Sequence, residues 1–225
     1  MARTLVQRYR HAQLLAVLSL LLLVNPFVQG LGGSALLDVV LFLALVSAVV
    51  ACGRERRQVV IGISLAGLLQ AVALYRNFTG ITAVGVAYST LGVVFFGYVT
   101  VLIVSDIFRT SRPVSADTIC GALSAYLLMG VGWAFAYALL EQLIPGSIRG
   151  LRGLGDGGYA EYLGYSFVTL TTLGYGNVVP GNEKADALAV AEAIVGQVYL
   201  TVLVARLVAL NLVFARGGDD DQKQT

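Results

Sequence analysis

The sequence predicts an all-α integral membrane protein: six transmembrane helices, with a short re-entrant helix and its loop between helices 5 and 6. Three observations predict it. Hydrophobic residues make up 57% of the 225 and charged residues only 12%, about half the charge of an ordinary soluble domain. Six apolar segments, near 12–29, 35–52, 59–75, 81–104, 118–140 and 187–215, are long enough to cross, because about 20 helical residues traverse a hydrocarbon core of about 30 Å. Between the last two lies a segment, 160–171, too short and too polar to cross, which runs into Thr171-Thr172-Leu173-Gly174-Tyr175-Gly176-Asn177. At these lengths only helices satisfy the backbone in lipid, and non-helical backbone at depth needs protein or a water-filled space around it.

The elements follow in order. Residues 1–11 form a basic stretch carrying Arg3, Arg8, Arg10 and the lone His11, which reads as solvated. The same basic stretch followed by Leu14–Val24 also fits a secretory signal peptide, whose removal would leave five spans. Against that, the apolar run continues past Pro26 to Val28 and no A-x-A site follows. The first four spans make a module, 12–110, that reads as a structural surround or a lipid-sensing unit. A voltage sensor needs several basic residues repeated along one span, since one charge moved through 100 mV is worth about 2.3 kcal/mol. The fourth span, 81–104, holds no Lys or Arg, so no voltage gating by this route is expected. Arg76 and Arg109 read as interfacial anchors, and Asp38 as an interfacial or capping residue. Cys52 and Cys120 have no spacing that suggests a metal site or a redox pair.

Basic residues set the orientation. One side would hold Arg3, Arg8, Arg10, Arg54, Arg56, Arg57, Arg109, Arg112, Arg216 and Lys223, the other Arg76, Arg149, Arg152 and Lys184. That asymmetry puts both termini in the cytoplasm. Arg206, inside the sixth span, can snorkel toward the inner surface. The last span exceeds the needed length and should tilt or extend inward. The glycine-rich stretch 145–158 reads as a mobile outer turret, and 216–225 as a disordered cytoplasmic tail. The net charge of +2 carries no nucleic-acid signal, and the intramembrane polar residues are too scattered for an enzyme pocket.

The region 114–215 resembles the pore domain of potassium channels: outer helix, turret, pore helix, selectivity filter, inner helix. The residues carrying the likeness are the Thr-Thr-Leu-Gly-Tyr-Gly run, Ser166-Phe167-Val168-Thr169-Leu170 before it, Val178-Val179-Pro180 after it, and Glu192-Ala193-Ile194-Val195-Gly196-Gln197 in the last span. It is closest to small bacterial six-span members without an attached regulatory domain, and this compact layout suggests a bacterial inner membrane. The resemblance implies a homotetramer, embedded in membrane lipid, passing potassium through rings of backbone carbonyls. Potassium would lie at Thr172, Leu173, Gly174 and Tyr175, with the Thr172 hydroxyl adding an oxygen. Gly176 would turn the chain outward, and the Tyr175 side chain would point away from the pore. No other cofactor is implied.

Support for the filter is expected from Thr169, Thr171, Asn177 and Glu192. Many members place an acid after Gly-Tyr-Gly and some place one midway along the pore helix; here those positions hold Asn177 and Val168. A carboxylate pair behind the filter is therefore missing, which bears on inactivation. A charge at mid-bilayer costs about 2.5–3.5 kcal/mol, so Glu192 should face protein or water. It reads either as a brace to Thr169 or Thr171, or as a residue snorkelling at the outer boundary. Gly196 reads equally as a gating hinge or as a close-packing site. Gln197, Leu200, Val204 and Val208 would face the cavity and gate, where an apolar constriction can close by dewetting. Three other functions remain. A nonselective cation channel would be favoured by loss of Tyr175, which is present. A channel-related transporter joins four single-glycine pore units in one chain, unlike the one full motif here. The last is a nonconducting scaffold or channel subunit.

Overall fold

The computed structural model describes residues 10–28, 46, 49, 55–79, 81–109, 115–151 and 158–222. In chain order these form α1 (Arg10–Val28), α2 (Arg56–Thr79), α3 (Thr82–Arg109), α4 (Ala116–Leu143), β1 (Ile148–Arg149), α5 (Gly158–Leu170), β2 (Val179–Pro180) and α6 (Glu183–Gln222). Apart from the β1–β2 ladder, with two residues on each strand, the regular elements among the described residues are helices.

Four of these helices are long and apolar enough to cross a membrane, over Arg56–Arg76, Thr82–Arg109, Ala116–Leu143 and Glu183–Ala209. They coincide with the third to sixth expected spans. The 28 residues of α3 and of α4 are about 42 Å long, so they exceed the hydrocarbon core and must tilt or protrude. α1 matches the first expected span in position, with a shorter apolar core, His11–Leu20. The span expected at 35–52 lies outside the described residues except for Val46 and Val49, both helical. Val49 is fully buried against α2, where a Cβ on Gly62 would come 2.4 Å from its side chain.

Capping residues set the helix starts. Ser115 accepts the Thr118 amide at 3.2 Å and opens α4. Asn182 Oδ1 accepts the Ala185 amide at 3.0 Å and opens α6, whose first turn carries Glu183 and Asp186. α1 has its cap supplied from another helix: Asp117 Oδ1 accepts the His11 and Ala12 amides at 3.0 and 3.3 Å. His11, read as solvated from sequence, is buried beside Gly121 of α4, because α1 docks there by its first turn. α1 thus starts beside the start of α4.

α3 runs back against α2 and α4. The Tyr98 hydroxyl, late in α3, donates to the Gln58 carbonyl at the start of α2 (2.9 Å), and Gln142 Nε2, late in α4, donates to Ser89 Oγ, early in α3 (2.9 Å). An aromatic cluster joins α3, α4 and α5: Phe135 stacks on Phe96 at 5.2 Å and meets Tyr159 at 4.5 Å between ring centres. Gly92 makes room for it; a Cβ there would fall 1.9 Å from the Phe135 ring. Arg76 lies over the Tyr88 ring at 4.5 Å, a cation–π contact on the α3 surface.

Two sequence expectations change. The start of the turret is not loose: Glu141 accepts the Gly146 amide at 2.7 Å and the Ile148 amide at 2.9 Å, so one carboxylate ties the turn after α4. α6 also continues to Gln222, taking in 216–222, which composition had assigned to a disordered tail. Once a long helix exists, each further residue adds a hydrogen bond without a new nucleation cost.

Candidate functional site

α5 holds 13 residues, about 20 Å of helix, too short to cross. It is wedged between α4 and α6. Phe167 lies over Gly130 of α4, where a Cβ would come within 2.6 Å of the ring. Three residues on, the Leu170 carbonyl approaches Gly196 of α6, and a Cβ on Gly196 would stand 2.6 Å from that oxygen. The same carbonyl accepts the buried Tyr126 hydroxyl at 3.1 Å. α5 ends in a two-bond C-terminal lock: Thr172 N–H donates to the Thr169 carbonyl and Leu173 N–H to the Val168 carbonyl, both at 2.9 Å. This is the Schellman pattern, whose pivot residue takes a left-handed conformation and is usually glycine. Here the pivot is Thr172, at φ 57°. A β-branched residue there is strained, by about 1–3 kcal/mol.

The loop continues with Gly174 at φ 62° and Gly176 at φ 77°. Positive φ thus falls on every second residue, Thr172, Gly174 and Gly176, and on neither Leu173 nor Tyr175. In an extended chain, groups on successive residues alternate sides. Inverting φ at every second residue turns alternate peptides over, which brings successive carbonyls toward one side. All seven residues 171–177 are exposed, and Leu173 and Tyr175 remain 56% and 73% accessible. Among the described residues, none donates a hydrogen bond to the carbonyls of Thr172, Leu173, Gly174 or Tyr175. The Thr172 hydroxyl donates to the Thr171 carbonyl at 2.7 Å.

The far end of the loop is held by the β1–β2 ladder, which pairs Ile148 with Pro180 and Arg149 with Val179. Gly181 N–H donates to the Ser147 carbonyl at 2.6 Å, Asn182 Nδ2 to Ser147 Oγ at 2.8 Å, and Arg149 to the Gly181 carbonyl at 3.2 Å. Gly150, at φ 89°, passes so close that a Cβ would lie 2.0 Å from the Asn177 carbonyl oxygen. The loop is therefore fixed at both ends.

Glu192, on α6, is fully buried. Tyr137 of α4 donates to its Oε2 at 2.5 Å, and Ser166 of α5 meets its Oε1 at 2.6 Å while also reaching the Gly130 carbonyl at 2.7 Å. One carboxyl group thus joins all three helices behind the loop. The bracing role expected of Glu192 has different partners from those expected: Thr169 and Thr171 turn their hydroxyls back to the Tyr165 and Phe167 carbonyls, at 2.9 and 2.6 Å. Those bonds follow the usual i−4 habit of threonine in a helix, and Ser166 is the residue left facing α6. Val168 and Asn177 form no carboxylate pair, so the acid behind the loop comes from α6.

α6 separates two faces. Gly196 is buried, Leu203 is 5% exposed, and Tyr199 donates from this face to the Ala122 carbonyl at 2.7 Å. Gln197, Val204 and Val208 are exposed, Leu200 partly so. The helix passes Gly196 without interruption, and the contact with Leu170 accounts for the glycine by close packing. Four residues that matter here escape the sequence reading, Tyr126, Tyr137, Glu141 and Asn182, while Ser166 enters it only as part of the motif and Gly150 only within the glycine-rich stretch. For three of them a signal existed. Tyr137 repeats the Gly130 face of α4 two turns on, Glu141 immediately precedes a turn, and Asn182 stands one residue before an acidic first turn.

Residues 118–212 match a family model described as ion channel. The match runs from the first turn of α4 into α6 and takes in α5, the loop and the ladder. No curated protein and no solved structure matches the chain. The apolar helices indicate an integral membrane protein, and over residues 118–212 the chain is similar to ion channels, a likeness that suggests passive ion conduction.

Proposed function

We propose that the chain is one subunit of a homotetrameric potassium-selective channel, with residues 172–176 as its selectivity filter. The observation that carries this reading is the alternation of φ at Thr172, Gly174 and Gly176, together with four neighbouring carbonyls that no described protein group caps. Once four loops close around one axis and shut out bulk water, these carbonyls need another partner. A dehydrated cation supplies one to several carbonyls at once. α5 points its C-terminal end, with a partial negative charge of about half an electron, toward the start of this loop. The Thr172 hydroxyl is the innermost oxygen of the set. Its loss is distinguishable from loss of the backbone shape, because glycine keeps the latter.

One chain leaves Leu173 and Tyr175 more than half exposed. Four loops around an axis would cover them, with the Tyr175 ring packed on a neighbouring subunit. Gln197, Val204 and Val208 would then line the inner cavity, and the two apolar valines its gate. Six spans fit the chain direction. α1 and α2 both start on the side where α4 starts, and the apolar segment 35–52 is long enough to supply a further crossing. With the basic residues inside, both termini are cytoplasmic. The bacterial inner membrane is the location that the small six-span resemblance favours.

Flux into liposomes tests this reading. Wild-type protein should pass potassium and exclude sodium. Gly174→Ala, which places a Cβ at φ 62°, should abolish current or selectivity. Equal potassium and sodium flux through wild-type protein would overturn potassium selectivity; no flux at all would overturn the channel.

A further inference from the structure

Arg206 lies on α6 between Val204 and Val208, yet on the other face. At about 100° per residue, it is about 160° around the helix from each valine. Its guanidinium reaches the end of α3: Nη2 lies 3.0 Å from the Ile107 carbonyl and 2.7 Å from the Phe108 carbonyl, and the group stands 4.7 Å over the Phe108 ring centre. These carbonyls belong to the last turn of α3, where four C=O groups have no intrahelical partner and the helix gathers negative charge. The cation therefore caps α3 from another helix. Next to this contact, α3 and α6 part around a cavity of about 500 Å³, lined by Val101, Val104 and Phe108 on one side and Val198, Tyr199 and Val202 on the other. Beside the cavity the two helices also share one apolar cluster holding Ile103, Ile107 and Leu203, and the arginine adds the polar tie to it.

We propose that Arg206 is a positioning residue for the gate, a clip that holds the lower half of α6 against the end of α3 and so favours the open pore. This rests on the channel reading above. Val204 and Val208 face the axis, so a tie on the opposite face draws them apart. Closing brings the valines together and has to lengthen or break the Arg206 hydrogen bonds. The module made by the first spans then acts on the gate through the end of α3, without gating charges.

Single-channel recording in planar bilayers, comparing wild type with Arg206→Gln and Arg206→Lys, tests the clip. Arg206→Gln should lower the open-to-closed ratio about tenfold, the scale of one charge-assisted hydrogen bond. Arg206→Lys, which keeps the charge and loses the planar stack, should fall between. Conductance and the potassium-to-sodium permeability ratio should stay as in wild type, since the filter is untouched. An open probability in Arg206→Gln equal to or above that of wild type overturns the clip and leaves the channel reading intact. A second measurement needs no current. With spin labels at Val208→Cys, and Cys52 and Cys120 replaced by Ser, distances between subunits should shorten in Arg206→Gln. Unchanged distances overturn the proposal even in a protein that does not conduct, whereas absence of wild-type current overturns the channel reading alone.

Discussion

Replacing Glu192 with Ala removes the group that joins α4, α5 and α6 behind the loop. Tyr137 loses its only described acceptor, and the buried hydroxyl is left unsatisfied at a cost of about 1–3 kcal/mol. Ser166 keeps the Gly130 carbonyl at 2.7 Å, so its lost bond costs nearer 1 kcal/mol. The sum is about 2–4 kcal/mol per subunit, before any cost of the space left behind. Glu192→Gln is the control. The amide oxygen still accepts from Tyr137 and the amide nitrogen still reaches Ser166, so the loss should stay within about 1 kcal/mol. Thermal denaturation of the purified oligomer in detergent reads this directly: Ala should lower Tm on the order of 10 °C, with Gln close to wild type. Currents through the Ala variant should also decay faster, because α5 is less firmly held. The reasoning fails if Ala melts with wild type, or if Gln is as damaging as Ala. Either result would mean that the three-helix junction carries no stability.

Other substitutions probe the remaining contacts. Gly196→Ala puts a methyl 2.6 Å from the Leu170 carbonyl oxygen; it should destabilise the oligomer by about 1–3 kcal/mol as overpacking does, whereas a glycine serving only as a hinge would change gating with Tm intact. Thr172→Gly should relieve about 1 kcal/mol of left-handed strain yet weaken potassium block by barium or potassium binding, since the hydroxyl is gone; equal binding would remove Thr172 Oγ1 from the ion path. Gly150→Ala, strained at φ 89° and 2.0 Å from the Asn177 oxygen, should disturb the outer end of the loop and reduce conductance, read by single-channel recording, and normal conductance would show that the ladder can shift.

The parts of this molecule legible in sequence were those with a periodic or local signature. Long apolar runs gave the crossing helices, and the run around Gly174 and Gly176 marked the loop because glycine tolerates positive φ. Thr172 was assigned an oxygen from the motif, but its left-handed pivot could not be read, since threonine disfavours that conformation and the lock on α5 is a backbone feature. The Glu192 junction was half legible. Burial of the acid followed from the cost of a charge in lipid, while its partners lie 55 and 26 residues away and no periodicity links them. Threonine was the expected partner, and its local backbone bond prevailed. The Arg206 clip was read only as a snorkelling side chain for the same reason: its acceptors are carbonyls almost a hundred residues earlier, and every residue has a carbonyl.

The most direct test of the account is carbonyl ¹³C spectroscopy on reconstituted protein labelled at Leu173, Gly174 and Tyr175, titrated with potassium or sodium. Saturable shifts of these carbonyls with potassium, and none at matched sodium, are the predicted result. Identical responses to both ions, or no response at these three positions while the protein conducts, would contradict it.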